Sequence, residues 1–106
     1  MPKYLYSYHG GGDMPESEEE GQKIMQAWMS WFGTLGSAVV DGGNPLGATK
    51  TVLANGSAKD GGGANPVNGY SIVSAANLDE AVKMAKGCPN LAAGGSVEVG
   101  EIIEMG

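Results

Sequence analysis

The chain has 106 residues, of which 42% are hydrophobic and 17% are charged, a composition typical of one modest globular domain and not of a disordered segment. Its formal net charge is −6, and its basic residues are six scattered lysines, with no arginine. Nucleic acids and anionic membrane surfaces are bound through clustered basic side chains. We therefore expect neither a nucleic-acid partner nor a membrane partner.

The content of cysteine and histidine argues against disulfides and metal sites. Cys88 is the single cysteine and His9 the single histidine. One histidine with scattered carboxylates lacks the paired ligand spacing of known metal sites, and no glycine run is followed by the Lys-Ser/Thr of a phosphate loop. We expect no metal and no cofactor. The sequence shows no secretion signal and no apolar run of 18 residues, which indicates a cytoplasmic protein.

Alternation and helical spacing predict the elements in chain order. The capping-box spacing of Ser17 and Glu20 marks the start of one helix, and that of Asn77 and Glu80 marks a second. The pair Asn55-Gly56 is a strong hairpin signal. The predicted elements are a strand at 3–9, a helix at 17–35, a strand at 37–40, a hairpin with arms at 48–54 and 57–59, a strand at 69–75, a helix at 77–87 and a strand at 96–103.

This order is close to the split βαβ pattern of ferredoxin-like folds, and it predicts an α+β sandwich with an extra hairpin in a single domain, 1–106. Two helices can cover only one face of such a sheet. In the first strand Tyr4, Tyr6 and Tyr8 share one face while Leu5 lies on the other. Both faces therefore need a cover, and a second copy of the chain is the simplest one for the second face. We expect a homodimer.

His9 is the first candidate for chemistry. It is followed by three glycines, a motif that some lipases use as an oxyanion hole, but the chain has no Gly-x-Ser-x-Gly elbow and is too short for that fold. His9 could instead act as a general acid–base with a carboxylate, and the topology favours Asp41 or Asp60 as the partner. The alternative is a loop histidine bonded to the backbone or to water.

Aromatic side chains are the candidates for ligand contact. Trp28 and Trp31 on the first helix could line an apolar pocket between helix and sheet. The alternative is a core stripe, with Trp28 inside the core and Trp31 at its margin. The residues predicted to contact a ligand are Tyr8, His9, Trp28, Trp31 and Tyr70.

With these elements in place, the chain resembles the YCII-related domain proteins, in the branch named for an Asp-Gly-Pro-Phe (DGPF) motif. The resemblance covers nearly the whole chain and is carried by an ordered set of short motifs: Lys3-Tyr4-Leu5, Gly36, Asp41-Gly42, Asp60-Gly61, Gly69-Tyr70, Leu78-Asp79-Glu80-Ala81, Cys88-Pro89 and Gly94-Gly95-Ser96-Val97-Glu98-Val99. It implies a ferredoxin-like fold and a dimeric α+β barrel, in which two sheets pack face to face. It implies little about activity.

The sequence departs from that family pattern where chemistry has been proposed. The DGPF motif reads Asp60-Gly61-Gly62-Gly63 here, and the first helix contains no histidine. A His–Asp pair of the kind proposed for one branch therefore cannot be carried over by position.

Three functions remain open from the sequence. The favoured one is a small homodimeric module that binds a small organic ligand in a cleft beside the sheet. The first alternative is an acid–base enzyme of the lyase or hydrolase type that uses His9 with a carboxylate. The second is a structural or protein-interaction module without a ligand.

Overall fold

The computed structural model of the chain describes residues 1–11 and 16–105, so Gly12 of the predicted glycine motif lies outside the described residues. Its elements are, in chain order, β1 (Lys3–His9), α1 (Glu18–Leu35), a 3-10 turn (Gly36–Ala38), β2 (Val39–Asp41), β3 (Lys50–Val52), β4 (Ala58–Asp60), β5 (Val67–Ser74), α2 (Leu78–Ala85), α3 (Pro89–Ala92) and β6 (Ser96–Glu101).

Four strands form one open antiparallel sheet in the order β2-β5-β1-β6. Once the hairpin is set aside, this is the strand order of the split βαβ arrangement. The strands β3 and β4 form a separate two-stranded sheet, and in the sequence they lie between β2 and β5. The predicted α+β, ferredoxin-like architecture with an extra hairpin is therefore confirmed.

The helices begin and end where their sequences satisfy the free backbone groups. Ser17 Oγ accepts a hydrogen bond from Glu20 N, and Asn77 Oδ1 accepts one from Glu80 N. Both predicted N-caps are confirmed, and each satisfies an amide that has no partner within its helix. Gly36 follows α1 with a φ of 57°, a conformation that glycine adopts without steric cost.

Two stretches differ from the sequence prediction. The strand predicted at 37–40 begins later, because Gly36–Ala38 first completes a 3-10 turn. The chain after α2 forms a further short helix, α3, where Pro89 occupies the first turn and needs no hydrogen-bond partner for its nitrogen. Both are local features of three or four residues, too short to give a periodic signal.

The core lies between the helices and one face of the sheet. Tyr4, Tyr6 and Tyr8 of β1 are buried on this face, beside the buried Val73 of β5. The Tyr6 hydroxyl donates a hydrogen bond to the carbonyl oxygen of Ala81 in α2. This bond satisfies the only polar atom of a fully buried ring and ties the sheet to the second helix.

The two tryptophans exchange the places expected from the sequence. Trp31 is 5% exposed and lies in the core, whereas Trp28 is half-buried. The prediction that Trp28 is central and Trp31 marginal is wrong, because the end of α2 packs over the side of α1 that carries Trp31. There the Trp31 indole N–H donates to Met84 O at 3.1 Å, and its ring contacts Gly87 at the end of α2.

The second face of the sheet carries no helix among the described residues. Leu5 of β1 lies opposite Ile72 of β5 on this face, and Ser7 lies opposite Glu98 of β6. Leu5 is 36% exposed and Ile72 is half-buried. We call this surface the open face.

Candidate functional site

A cleft of about 390 Å³ lies beside the sheet, between one side of α1 and the loop that follows β2. One wall is apolar and belongs to α1. The other wall belongs to the loop and to β1, β5 and α3. The lining residues are Tyr8, Gly21, Ile24, Met25, Trp28, Phe32, Gly42, Gly43, Asn44, Pro45, Asn68, Gly69, Tyr70, Ser71 and Asn90. The volume is in the range of small-molecule sites.

The apolar wall follows from helical spacing. Met25, Trp28 and Phe32 recur at intervals of three and four residues, so they share one side of α1. The Trp28 ring meets the Tyr8 ring edge-on, with centroids 4.9 Å apart. This side of α1 borders the cleft, whereas the end of α2 packs against Trp31.

The opposite wall is a loop that is pinned to β5. Asp41 Oδ1 accepts a hydrogen bond from Gly43 N at 2.8 Å, which folds the chain back directly after β2. Gly43 has a φ of 73°, and a β-carbon added there would lie 1.7 Å from the Tyr70 carbonyl oxygen. The Asn44 carbonyl accepts from Tyr70 N at 3.3 Å. The main chain of the loop therefore packs directly against the main chain of β5.

Two hydroxyl groups at the base of the cleft form a short hydrogen-bonded chain. Tyr8 Oη donates to Ser71 Oγ at 2.8 Å, and Ser71 Oγ donates to the Gly42 carbonyl at 2.7 Å. Burial raises the pKa of Tyr8 above its ordinary value, more than the Ser71 hydrogen bond lowers it. The Tyr8 hydroxyl is therefore protonated at neutral pH and cannot serve there as a base.

Two amide side chains hold the end of β1 beside the cleft. Asn68 Nδ2 donates to Gly10 O at 2.7 Å. Asn90 Nδ2 donates to His9 O at 3.1 Å and to Ser96 O at 2.9 Å. Asparagine 90 is buried, and because both partners of its nitrogen are carbonyls, the orientation of its amide is fixed.

His9 is not among the residues that line the cleft. It is 7% exposed, its Nδ1 lies 3.0 Å from the carbonyl oxygen of Asn65, and its Nε2 lies 4.0 Å from Glu98 Oε1. No hydrogen-bond partner within the described part of the chain reaches Nε2. His9 pairs with Ser96 across the β1–β6 ladder, so its neighbours are β6 and the loop before β5.

The two aspartates predicted as partners of His9 make other contacts. Asp41 caps the turn at Gly43, and Asp60 in the hairpin lies 3.4 Å from Lys50 Nζ. The carboxylate that approaches His9 is Glu98. A catalytic role for His9 with a carboxylate stays a prediction.

The residues predicted to contact a ligand divide between two places. Tyr8, Trp28 and Tyr70 line the cleft, whereas His9 and Trp31 are not part of its lining. Since side chains alternate along a strand and Ser71 faces the helices, the part of Tyr70 that borders the cleft is its main chain.

The residues predicted to contact a ligand leave out several that line the cleft. Met25 and Phe32 carry a signal that could have found them, since they share the helical stripe of Trp28. Ser71, Asn90 and Gly43 carry none, because only the tertiary fold brings their three segments together.

Within residues 1–11 and 16–105, no three histidine, cysteine or acidic side chains cluster closely enough to hold a metal ion. None of the helices described is long and apolar enough to cross a membrane.

Comparison with known proteins identifies the family. No curated protein matches the chain. The family model of the YCII-related domain matches residues 11–106, which includes every strand after β1 and all the helices described above. This range is most of the chain, and it contains the motifs from Gly36 to Val99 on which the sequence resemblance rests. The chain therefore belongs to the YCII-related domain family.

Proposed function

We propose that this chain is a small homodimeric module that binds a small, uncharged aromatic compound in the cleft beside the sheet. The observation that carries the proposal is the cleft itself. It has the volume of a small-molecule site, one aromatic wall and, among the described residues that line it, no charged side chain.

The chemistry of the walls supports an aromatic occupant. Tyr8, Trp28 and Phe32 present three aromatic rings, and Met25 adds a thioether that packs well against a ring. A flat ring inserted here would remove apolar surface from water on both sides. An ionised ligand would lose hydration without gaining an ion pair from the described lining.

Two methionines on α1 give a matched test. Met25 and Met29 are 64% and 66% exposed, but only Met25 lines the cleft. We expect Met25→Glu to weaken the binding of uncharged one- and two-ring aromatic compounds at least about tenfold, because a ligand would have to bury the new carboxylate. Saturation-transfer NMR with such a compound set identifies binders, and calorimetry measures their affinities.

Met29→Glu is the control, since it adds the same charge to the same helix outside the cleft. It should leave the affinities within about twofold of those of the unaltered chain. If no compound binds the unaltered chain, or if both variants bind equally well, the cleft is not the proposed ligand site.

The proposed dimer concerns the open face. Helices cover the tyrosine face of the sheet, while Leu5 and Ile72 stand opposite each other on the other face. Apolar side chains on a second sheet face require a second layer. A copy of the chain packed face to face would supply it and would give the dimeric α+β barrel that the DGPF-type resemblance implies. We place this module in the cytoplasm, as a single domain over 1–106.

A lysine on the open face tests the dimer. Leu5→Lys should convert a dimer into a monomer of 10.8 kDa in sedimentation velocity, because each copy would place an ammonium group in an apolar interface. Val82→Lys on α2 is the matched control, since Val82 is 38% exposed and Leu5 is 36% exposed. A monomeric unaltered chain, or a Leu5→Lys variant that remains a dimer, would contradict the arrangement.

The acid–base alternative has one observation in its favour. His9 is buried with Nε2 unpaired in the described structure, 4.0 Å from the Glu98 carboxylate. Glu98 lies on the open face, so an enzyme built on this pair would receive its substrate there and not in the cleft. The cleft and the His9–Glu98 pair thus predict binding in different places.

A further inference from the structure

We propose that the cleft selects aromatic compounds that donate a hydrogen bond, such as a ring N–H, and that it excludes anionic ones. This inference rests on the proposed ligand-binding function and adds the polarity of the ligand to it. It follows from the hydrogen bonds that the polar side chains of the cleft already donate to other protein groups.

The hydroxyl groups at the base of the cleft have no hydrogen left for a ligand. The single hydrogen of Tyr8 Oη is donated to Ser71 Oγ, and the single hydrogen of Ser71 Oγ is donated to the Gly42 carbonyl. A hydroxyl oxygen also carries two lone pairs, so Tyr8 Oη retains accepting capacity. Neither hydroxyl can therefore donate to a ligand without breaking the chain, and since Ser71 is fully buried, Tyr8 Oη is the one of the two that can accept.

The side-chain amides of Asn90 and Asn68 also donate hydrogen bonds to protein carbonyls. Both hydrogens of Asn90 Nδ2 are donated, to the carbonyls of His9 and Ser96, whereas Asn68 Nδ2 donates one hydrogen to the carbonyl of Gly10 and keeps the other. No hydrogen bond between described residues engages the Oδ1 atom of either amide. These two oxygens are acceptors, and the amide of Asn90 cannot turn over without losing two hydrogen bonds.

The crowded packing of Asn90 holds this orientation. A β-carbon added to Gly95 would lie 2.5 Å from Asn90 Nδ2, and one added to Gly11 would lie 2.6 Å from Asn90 Oδ1. The amide thus fits between two glycines, where a larger residue would displace it. The orientation of this amide is consequently built into the fold.

The donors that remain are few. The indole N–H of Trp28, the side-chain amide of Asn44 and the second hydrogen of Asn68 Nδ2 have no hydrogen bond within the described residues, and no lysine is among the residues of the lining. Carboxylates and phosphates are usually held by several N–H groups or by a cation. No cation is among the described residues of the lining, and the chain carries a net charge of −6, so an anion would be repelled.

A set of three matched indoles tests the inference on the unaltered chain. Indole has a ring N–H, 1-methylindole lacks it, and indole-2-carboxylate adds a negative charge at neutral pH. We expect calorimetry to show indole binding about tenfold more tightly than 1-methylindole, because the methylated ring would leave a desolvated acceptor unpaired. We expect no measurable binding of indole-2-carboxylate.

Each result has one meaning. Equal affinities for indole and 1-methylindole, or tighter binding of the carboxylate, would overturn the inference while leaving the aromatic site in place. Absence of binding by all three compounds would overturn the inference and, if the wider aromatic set also fails, the proposed function. Measuring indole with the Met25→Glu variant places the binding: loss of affinity supports the cleft, and unchanged affinity overturns the inference.

Discussion

Replacing Trp31 with alanine is expected to lower the free energy of unfolding by about 3 to 5 kcal/mol, the usual cost of truncating a large buried aromatic side chain. Trp31 is 5% exposed. Its ring centroid lies 6.0 Å from that of Tyr6 and 5.8 Å from that of Trp28, and its N–H donates a hydrogen bond to the Met84 carbonyl. The variant would lose ring packing on both sides and leave the Met84 carbonyl with only the longer hydrogen bond from Gly87 N, at 3.4 Å. Denaturant unfolding followed by circular dichroism measures the change.

Trp28→Ala is the matched control for Trp31→Ala. It removes the same side chain from the same helix, but Trp28 is half-buried and borders the cleft. Its truncation widens an existing opening instead of creating a closed cavity, so its cost should be clearly smaller. Both variants must be compared at one protein concentration, since dimerisation would contribute to the measured stability. Equal losses for the two variants would contradict the assignment of Trp31 as the central core residue.

The elements were predictable because each has a local signal. The stripe of α1, the two N-caps and Asn55-Gly56 are patterns that a short segment carries by itself, and all of them correspond to features of the structure. The relative burial of Trp28 and Trp31 was not predictable in this way. Both belong to one helical stripe, and the contact of the end of α2 with Trp31, set by long-range packing, decides which of them is enclosed.

The candidate site, too, depends on long-range packing that no local pattern in the sequence reveals. Aromatic content pointed to Tyr8 and Trp28, but the polar part of the cleft comes from three separate segments around Gly43, Ser71 and Asn90. The glycine at 43 looks the same in the sequence as its neighbour Gly42. Only the structure shows that one of them touches the β5 main chain while the other has open space beside it.

Gly43→Ala is therefore expected to damage both stability and binding. The new methyl group would lie 1.7 Å from the Tyr70 carbonyl oxygen, and the backbone would have to hold a φ of 73° with a side chain. The positive φ costs about 1 to 2 kcal/mol, and relieving the overlap costs about 1 to 3 kcal/mol more. Denaturant unfolding should show a loss of about 2 to 5 kcal/mol, and calorimetry should show weaker indole binding.

Gly61→Ala is the control that separates the cost of the positive φ from the cost of the steric overlap. Gly61 has a φ of 82°, close to that of Gly43, but a β-carbon there would meet no atom within 4 Å. It should show the conformational cost alone, with indole binding unchanged, because Gly61 lies at the base of the hairpin and outside the lining of the cleft. In Gly43→Ala the loop must instead move off β5, which pulls the Gly42 carbonyl away from Ser71 and opens the hydroxyl chain at the base of the cleft. Equal stability losses in the two variants would show that the loop after β2 moves away from β5 at no cost. The proposal that this loop forms a fixed wall of the cleft, on which the ligand selectivity depends, would then be wrong.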